Sequence, residues 1–185
     1  MALTKVLEGG IADDAVGNTK LDLGEDYTFT GTIVGAGGNN TPYFYGQKAS
    51  NQTITRNTST KVTGFTTVEL DSDSAFDGTT FTVPSGKAGR YYFHANIISD
   101  FSAVGSDGER AFIKFYKNGS STNQPQHEFF KSGGYNINQL SNAFSVLMDL
   151  SAADYVEIYV YNKDGDAGGN GRVTTLSNIL GYRLA

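Results

Sequence analysis

Cysteine and tryptophan are absent from the 185 residues, proline occurs three times and histidine twice. Without a thiol the chain has no disulfide framework, no zinc–thiolate site and no cysteine nucleophile, and its redox compartment leaves no mark on the composition. Basic runs are missing as well: 14 Lys and Arg stand against 19 Asp and Glu, for a net charge of -5 and a pI near 4.9. Nothing on such a surface collects phosphates, so no nucleic acid is expected as a partner. Uninterrupted apolar stretches such as Ile158-Tyr159-Val160-Tyr161 fall far below the roughly 20 residues of a membrane helix, so no membrane insertion is expected. The opening Met1-Ala2-Leu3-Thr4-Lys5-Val6-Leu7-Glu8 shows neither a basic start followed by an apolar block nor a small-residue cleavage site, and no secretory signal is read there.

The chain is rich in turn formers and rings. Its 23 Gly accompany many Ser, Thr and Asn, while helix formers seldom fall at helical spacing, a balance that favours strands joined by tight turns. Eleven Tyr and 12 Phe are too many for a chain that buries nothing. A fold of this length buries about two-thirds of the surface its unfolded chain exposes, which suits one domain with an appendage.

The appendage falls at residues 1–40. There Gly9-Gly10, Gly17, Gly24 and Gly31 break up short apolar groups such as Leu21 and Leu23 or Tyr27 and Phe29, and no stretch alternates for long. This segment cannot build a core of its own, and Gly35-Ala36-Gly37-Gly38-Asn39-Asn40 reads as a flexible joint. Residues 1–40 are therefore expected to form an extended arm that lies on a partner, and residues 41–185 a folded head.

In the head the period is two. Tyr91, Phe93, Ala95 and Ile97 share one face of a strand, and Tyr92, His94, Asn96 and Ile98 the other. Ala111, Ile113 and Phe115 form a second stripe, ending at a hairpin signal in Asn118-Gly119. Phe144, Val146, Met148 and Leu150 form a third, Val156, Ile158 and Val160 a fourth, and Leu180, Tyr182 and Leu184 a fifth. Short strands with turn-rich connections predict an all-β fold, a β-sandwich or jelly roll. Tyr155, Tyr159 and Tyr161 lie on the second face of one strand, Phe112 and Tyr116 on that of another. Apolar surface of this kind marks an interface, so a homo-oligomer is expected.

The order of four short motifs resembles the globular head of the complement C1q and tumour-necrosis-factor superfamily. They are Phe81-Thr82-Val83-Pro84 followed by Gly89-Arg90-Tyr91-Tyr92-Phe93; the Lys117-Asn118-Gly119 hairpin; Leu150-Ser151-Ala152-Ala153-Asp154-Tyr155-Val156; and Ile179-Leu180-Gly181-Tyr182-Arg183-Leu184. The resemblance covers about residues 42 to 185. It departs from the family pattern at Ala153, where the family has Gly, and at Ile179, where it has Phe. A turn demanding positive φ resists Ala, so the conformation at Ala153 is an open question. The resemblance implies a C1q/TNF-like jelly roll assembled as a homotrimer.

The arm, with Gly9-Gly10-Ile11-Ala12-Asp13-Asp14 and Tyr27-Thr28-Phe29-Thr30-Gly31-Thr32, is similar to openings of fibre and appendage proteins of tailed bacteriophages. This implies a virion location, with the arm on capsid or tail proteins and the head exposed. The expected function is that of a non-enzymatic virion structural protein: a trimeric tail fibre, spike or capsid-decoration protein. Its head serves host attachment, to a surface glycan or protein, or capsid stabilisation. Two alternatives come from other classes: a secreted or cell-surface lectin-like C1q module, and a depolymerase acting on surface polysaccharide.

Catalytic apparatus is sparse, and no catalytic or cofactor-binding residue is assigned. His94 lies within a strand and His127 at a loop or strand start, and each is read as structural. No nucleophile elbow, zinc-binding helix or phosphate loop occurs. Asp71, Asp73 and Asp77 could pair for glycan hydrolysis, but turn formation explains them more simply. Asn162, Asp164 and Asp166 space oxygen ligands as a calcium loop begins, yet Ala167 stands where the loop needs Gly and no later bidentate Glu follows. Calcium therefore stays an option, suggested by the resemblance, and a solvated glycine-rich loop the default. That loop, Asn162 to Arg172, and the connection Ser99 to Glu109 are the long ones, expected at the ends of the sandwich where a ligand can reach them.

Overall fold

The structure is a computed structural model, and it describes residues 40–100, 109–122, 127–131, 139–163 and 169–184. The expected arm, apart from Asn40, lies outside the described residues. Among these the fold is all-β. The strands are β1 (Tyr43–Gln47), β2 (Gln52–Ile54), β3 (Ser59–Lys61), β4 (Thr67–Asp71), β5 (Thr80–Thr82), β6 (Gly89–Asp100), β7 (Glu109–Lys117), β8 (Ser120–Ser121), β9 (His127–Lys131), β10 (Gln139–Leu150), β11 (Tyr155–Lys163), β12 (Gly171–Val173) and β13 (Asn178–Arg183).

They form two antiparallel sheets. In the seven-stranded one, β6 is the hub. Its one edge pairs along its length with β10, and its other edge carries β13 and then β12. Strands β1 and β4 continue outward from β13, and β2 from β12. The six-stranded sheet centres on β11, which pairs with β7 on one side and with β3 and β5 on the other, while β8 and β9 extend β7. Long central strands whose partners lie far off in sequence are what a jelly roll requires.

Alternation decides which side chains the sheets enclose. Tyr91, Phe93, Ala95 and Ile97 are buried, as are Ile113 and Phe115, Val146, Met148 and Leu150, and Val156, Ile158 and Val160. The predicted stripes on β6, β7, β10 and β11 therefore face the core. Rings dominate the centre: Phe44 stacks on Phe76 at 4.4 Å and on Phe81 at 5.1 Å, and Phe93 meets Phe81 at 5.4 Å and Phe115 at 6.0 Å. Such pairs add about 0.5–1.5 kcal/mol each beyond their area. The Tyr91 hydroxyl, the polar atom in this cluster, donates to the Lys87 carbonyl at 2.6 Å.

The last strand differs from the expected phase. Ile179 and Gly181 point inward, while Leu180 and Tyr182 point outward. Gly181 lies against Phe93 and Phe44, so the rings claim the space that a side chain would fill. Leu180 and Tyr182 thereby lie half-exposed on the outer face, while Ile179 stays in the core.

The predicted hairpin forms at Asn118 (φ 52°) and Gly119 (φ 71°), with Lys117 opposite Ser120. Two consecutive positive φ values give the turn whose twist matches its strands. Ala153 also sits at φ 68°, with its N–H donating to Val83 O at 2.9 Å, so the turn takes a positive φ without a Gly. An L-residue there costs about 1 kcal/mol. Ala153→Gly, at an exposed site, is expected to stabilise the head by about 0.5–1 kcal/mol and raise Tm by about 1–4 °C; an unchanged or lower melting temperature in calorimetry contradicts the strain.

Asp154 clamps that turn to the hairpin. Its carboxylate accepts hydrogen bonds from Asn118 Nδ2 at 2.7 Å and the Ser151 N–H at 2.8 Å, and it pairs with Lys117 Nζ at 2.8 Å. These bonds, the Asn118 amide first, hold its pKa down at about 2. A pKa lowered by folding stabilises above the ordinary carboxylate range, and the contribution fades as pH falls toward 2. Asp154→Ala is therefore expected to cost about 1–2 kcal/mol at pH 7, after allowing for solvent screening, and progressively less between pH 4 and about 2. Urea titrations of both forms at the two pH values check this.

Candidate functional site

The acidic residues considered for hydrolysis are committed to turns. Asp71 accepts the N–H groups of Ala75 at 2.9 Å and Phe76 at 3.1 Å, and Asp77 those of Thr79 at 2.8 Å and Thr80 at 2.7 Å. Asp73 accepts the Ser72 hydroxyl at 2.6 Å and lies 3.8 Å from Lys87 Nζ. Backbone capping thus accounts for the placement of Asp71 and Asp77, while Asp73 is held by a side-chain hydroxyl and a lysine. His94 lies on the outward face of β6, with Nδ1 2.9 Å from Ser145 Oγ, which is itself 2.7 Å from the Tyr92 hydroxyl. His127 opens β9 opposite Ile113.

Of the calcium-loop candidates only Asn162 can be placed, since Asp164, Asp166 and Ala167 lie outside the described residues. Asn162 is fully buried, and neither end of its amide has a hydrogen-bond partner among the described residues. No group of three or more His, Cys, Asp or Glu suited to a metal occurs among them.

The long connections spring from one end of the sandwich. Arg172 lies opposite Asp100, and their side chains form an ion pair at 2.7 Å. The roots of the Ser99–Glu109 and Asn162–Arg172 connections thus meet, although residues 101–108 and 164–168 lie outside the described residues. β11 runs on to Lys163 and β12 begins at Gly171, so the second loop is shorter than its expected bounds.

The outward face of the six-stranded sheet carries the rings that the period-two pattern picked out. Tyr161 lies between Ser59 and Phe112, and Tyr159 between Lys61 and Lys114. Phe112 and Tyr161 have centroids 5.9 Å apart. Tyr116 stacks on Tyr159 at 4.0 Å, with its hydroxyl 3.2 Å from Ser59 Oγ. Together with Lys114 these residues line a cleft of about 290 Å³. Burial chiefly, with help from Glu157, raises the Tyr159 pKa. Beside the cleft, Lys61 is paired with the buried Glu157 at 2.5 Å and donates to Thr80 Oγ1 at 2.9 Å. Because these rings cover one another, they remain only half-exposed in a single chain.

The seven-stranded sheet has a second apolar face. Register places Leu147, Tyr92, Tyr182 and Tyr43 side by side across β10, β6, β13 and β1, and beneath them Ser145, His94, Leu180, Tyr45 and Leu70. Tyr92 and Tyr182 have centroids 5.3 Å apart. Leu147 is 52% exposed, Leu70 53% and Tyr43 41%. Sequence alternation put Tyr92 and His94 on one outward face, but which strands flank them is a long-range fact that no local pattern carries.

Lys48 also escaped the sequence reading. Its ammonium is buried, donates to Thr63 O at 2.5 Å and Gln52 Oε1 at 3.2 Å, and lies 5.9 Å above the Phe65 ring. Burial lowers its pKa. Its place is that of a tie between the segments following β1 and β3.

No family model matches the chain, and no curated protein matches it in sequence. Solved structures do. The globular domain of zebrafish complement 1qA superposes with a TM-score of 0.53 at 16% identity, over 78% of this chain and 98% of that one. Murine APRIL superposes with a TM-score of 0.52 at 9% identity, over 77% of this chain and 98% of the other. At such identities the likeness speaks of architecture alone: the head is a jelly roll of the complement C1q and TNF type.

Proposed function

We propose that this chain is the homotrimeric, non-enzymatic binding component of a virion: a fibre, spike or head-decoration protein of a tailed bacteriophage, held by residues 1–40 and exposing its head. The observation that carries the oligomer is the outward face of the seven-stranded sheet, where Leu70, Leu147 and Tyr43 stand in water beside Tyr92 and Tyr182. Fully burying one such side chain is worth about 1.5–3 kcal/mol, and closure of a ring, in which this face meets a different surface of the next copy, removes several from water in every copy. Three-fold closure follows the family resemblance.

The virion location rests on the resemblance of the first forty residues to phage fibre openings. A binding role, rather than depolymerase chemistry, is supported by the turn-capping of Asp71 and Asp77, whose carboxylates accept backbone N–H groups. Three heads on one stem act together, because each contact after the first forms at high effective concentration. Host attachment and the clamping of neighbouring capsid subunits both draw on that avidity.

Sedimentation of the full chain at micromolar concentration is expected to give three times 19.8 kDa; a stable single-chain mass overturns the trimer. Electron microscopy of particles labelled through this chain is expected to place it on capsid or tail. Particles without label overturn the virion location.

A further inference from the structure

The cleft on the six-stranded sheet has a chemistry that neither the core nor the oligomer face uses. Two lysines flank Tyr159 in one cross-strand row. Lys61 spends its charge on Glu157. Lys114 has no ion pair or hydrogen bond to its ammonium among the described residues, and it lines the cleft with Ser59, Phe112, Tyr116, Tyr159 and Tyr161. Among the described residues this ammonium therefore has no paired carboxylate, with Glu128 one row away opposite Phe112, and on a chain with net charge -5 it sets a positive charge among rings. The Tyr116–Ser59 hydrogen bond and the Tyr116–Tyr159 stack hold the lining in place before any ligand arrives.

Such a lining asks three things of an occupant. It must offer an apolar face to the rings, hydroxyls to the phenols and Ser59, and one negative charge to Lys114. A purely apolar ligand strips water from the ammonium and phenols without replacing their hydrogen bonds. A hexose ring supplies the C–H face and the hydroxyls, and a carboxylate on it supplies the charge. The volume, about 290 Å³, stands at the lower end for small-molecule sites and suits a sugar unit rather than a large ligand.

We infer that the cleft between β3, β7 and β11 is a saccharide site for an acidic hexose unit, whose ring lies against the tyrosines and whose carboxylate pairs with Lys114. This rests on the binding-head reading and names the ligand class for it: an acidic surface polysaccharide.

The test uses the full chain and two disaccharides of the same linkage, one carrying glucuronate and one with glucose in its place. Tyrosine fluorescence reports binding, since the chain has no Trp. The glucuronate form is expected to bind about tenfold more tightly at low salt, as one charge-assisted hydrogen bond allows. Lys114→Gln should abolish that preference and Lys114→Arg keep it, whereas Tyr159→Ala should weaken both sugars. Equal binding of the two sugars, a preference surviving Lys114→Gln, or no binding at millimolar sugar overturns the site. Sedimentation of the same samples separates the two readings. A single-chain species that still shows the Lys114-dependent preference sinks the trimer and upholds the site, and a trimer without the preference does the reverse.

Discussion

Gly181→Ala is expected to destabilise the head by about 3 kcal/mol, at the upper end of what one inserted methyl costs a packed core. A Cβ on Gly181 meets Phe93 Cδ1 at 2.6 Å, Phe44 Cε1 at 2.7 Å and Phe93 Cε1 at 2.8 Å. Neither ring has room to retreat. Phe93 is fully buried and packs on Phe81, Tyr91 and Phe115, and Phe44 is stacked between Phe76 and Phe81. The backbone at Gly181 needs no positive φ, so the cost is steric and not conformational. For a chain of this length the loss corresponds to roughly 6–12 °C in Tm. Phe93→Leu, destabilising by itself, should lose less in the Gly181→Ala background, and a double-mutant cycle reads that coupling. A Gly181→Ala protein that melts within about 1 °C of the parent removes the steric account. Gly46 is the milder comparison: its Cβ would meet Phe76 Cε1 at 2.8 Å but Phe65 Cβ only at 3.2 Å.

These glycines show what the sequence could and could not reveal. Stripes such as Tyr91 to Ile97 and Val156 to Val160 were legible because alternation is a local consequence of strand geometry. The Asn118-Gly119 hairpin was legible because its backbone needs are local too. β13 was not: Leu180, Tyr182 and Leu184 alternate as a buried stripe should, yet the Phe93 and Phe44 rings, far away in the chain, set the phase with Gly181 inward. Strands β1 to β4 are short and weakly apolar, and their places come from pairing with β13, β11 and β12. The candidate site divides in the same way. Its tyrosines came from the alternation of β7 and β11, whereas Ser59 and the neutralisation of Lys61 by Glu157 needed long-range register.

Leu147→Glu is expected to convert the proposed trimer into single chains at micromolar concentration without unfolding them. Leu147 is 52% exposed on the free head, so a Glu there meets water and leaves the core untouched. In a closed assembly it replaces an apolar side chain next to Tyr92 with a carboxylate, and burying that charge without a partner costs several kcal/mol in each copy. Far-UV circular dichroism should be unchanged while sedimentation falls from three times 19.8 kDa to the single-chain mass; Leu147→Met should stay assembled. Tyr161→Glu is the opposing probe. Period-two reading alone directs closure to Tyr155, Tyr159 and Tyr161 together with Phe112 and Tyr116, but Tyr161 packs on Phe112 and Tyr159 on Tyr116, and the most exposed large apolar side chains of the strands among the described residues, Leu70, Leu147 and Tyr43, stand on the seven-stranded sheet. Tyr161→Glu should therefore leave the assembly intact. Were it to dissociate the protein while Leu147→Glu did not, the six-stranded sheet would be the interface, and the cleft beside Lys114 would be buried between copies instead of open to a sugar.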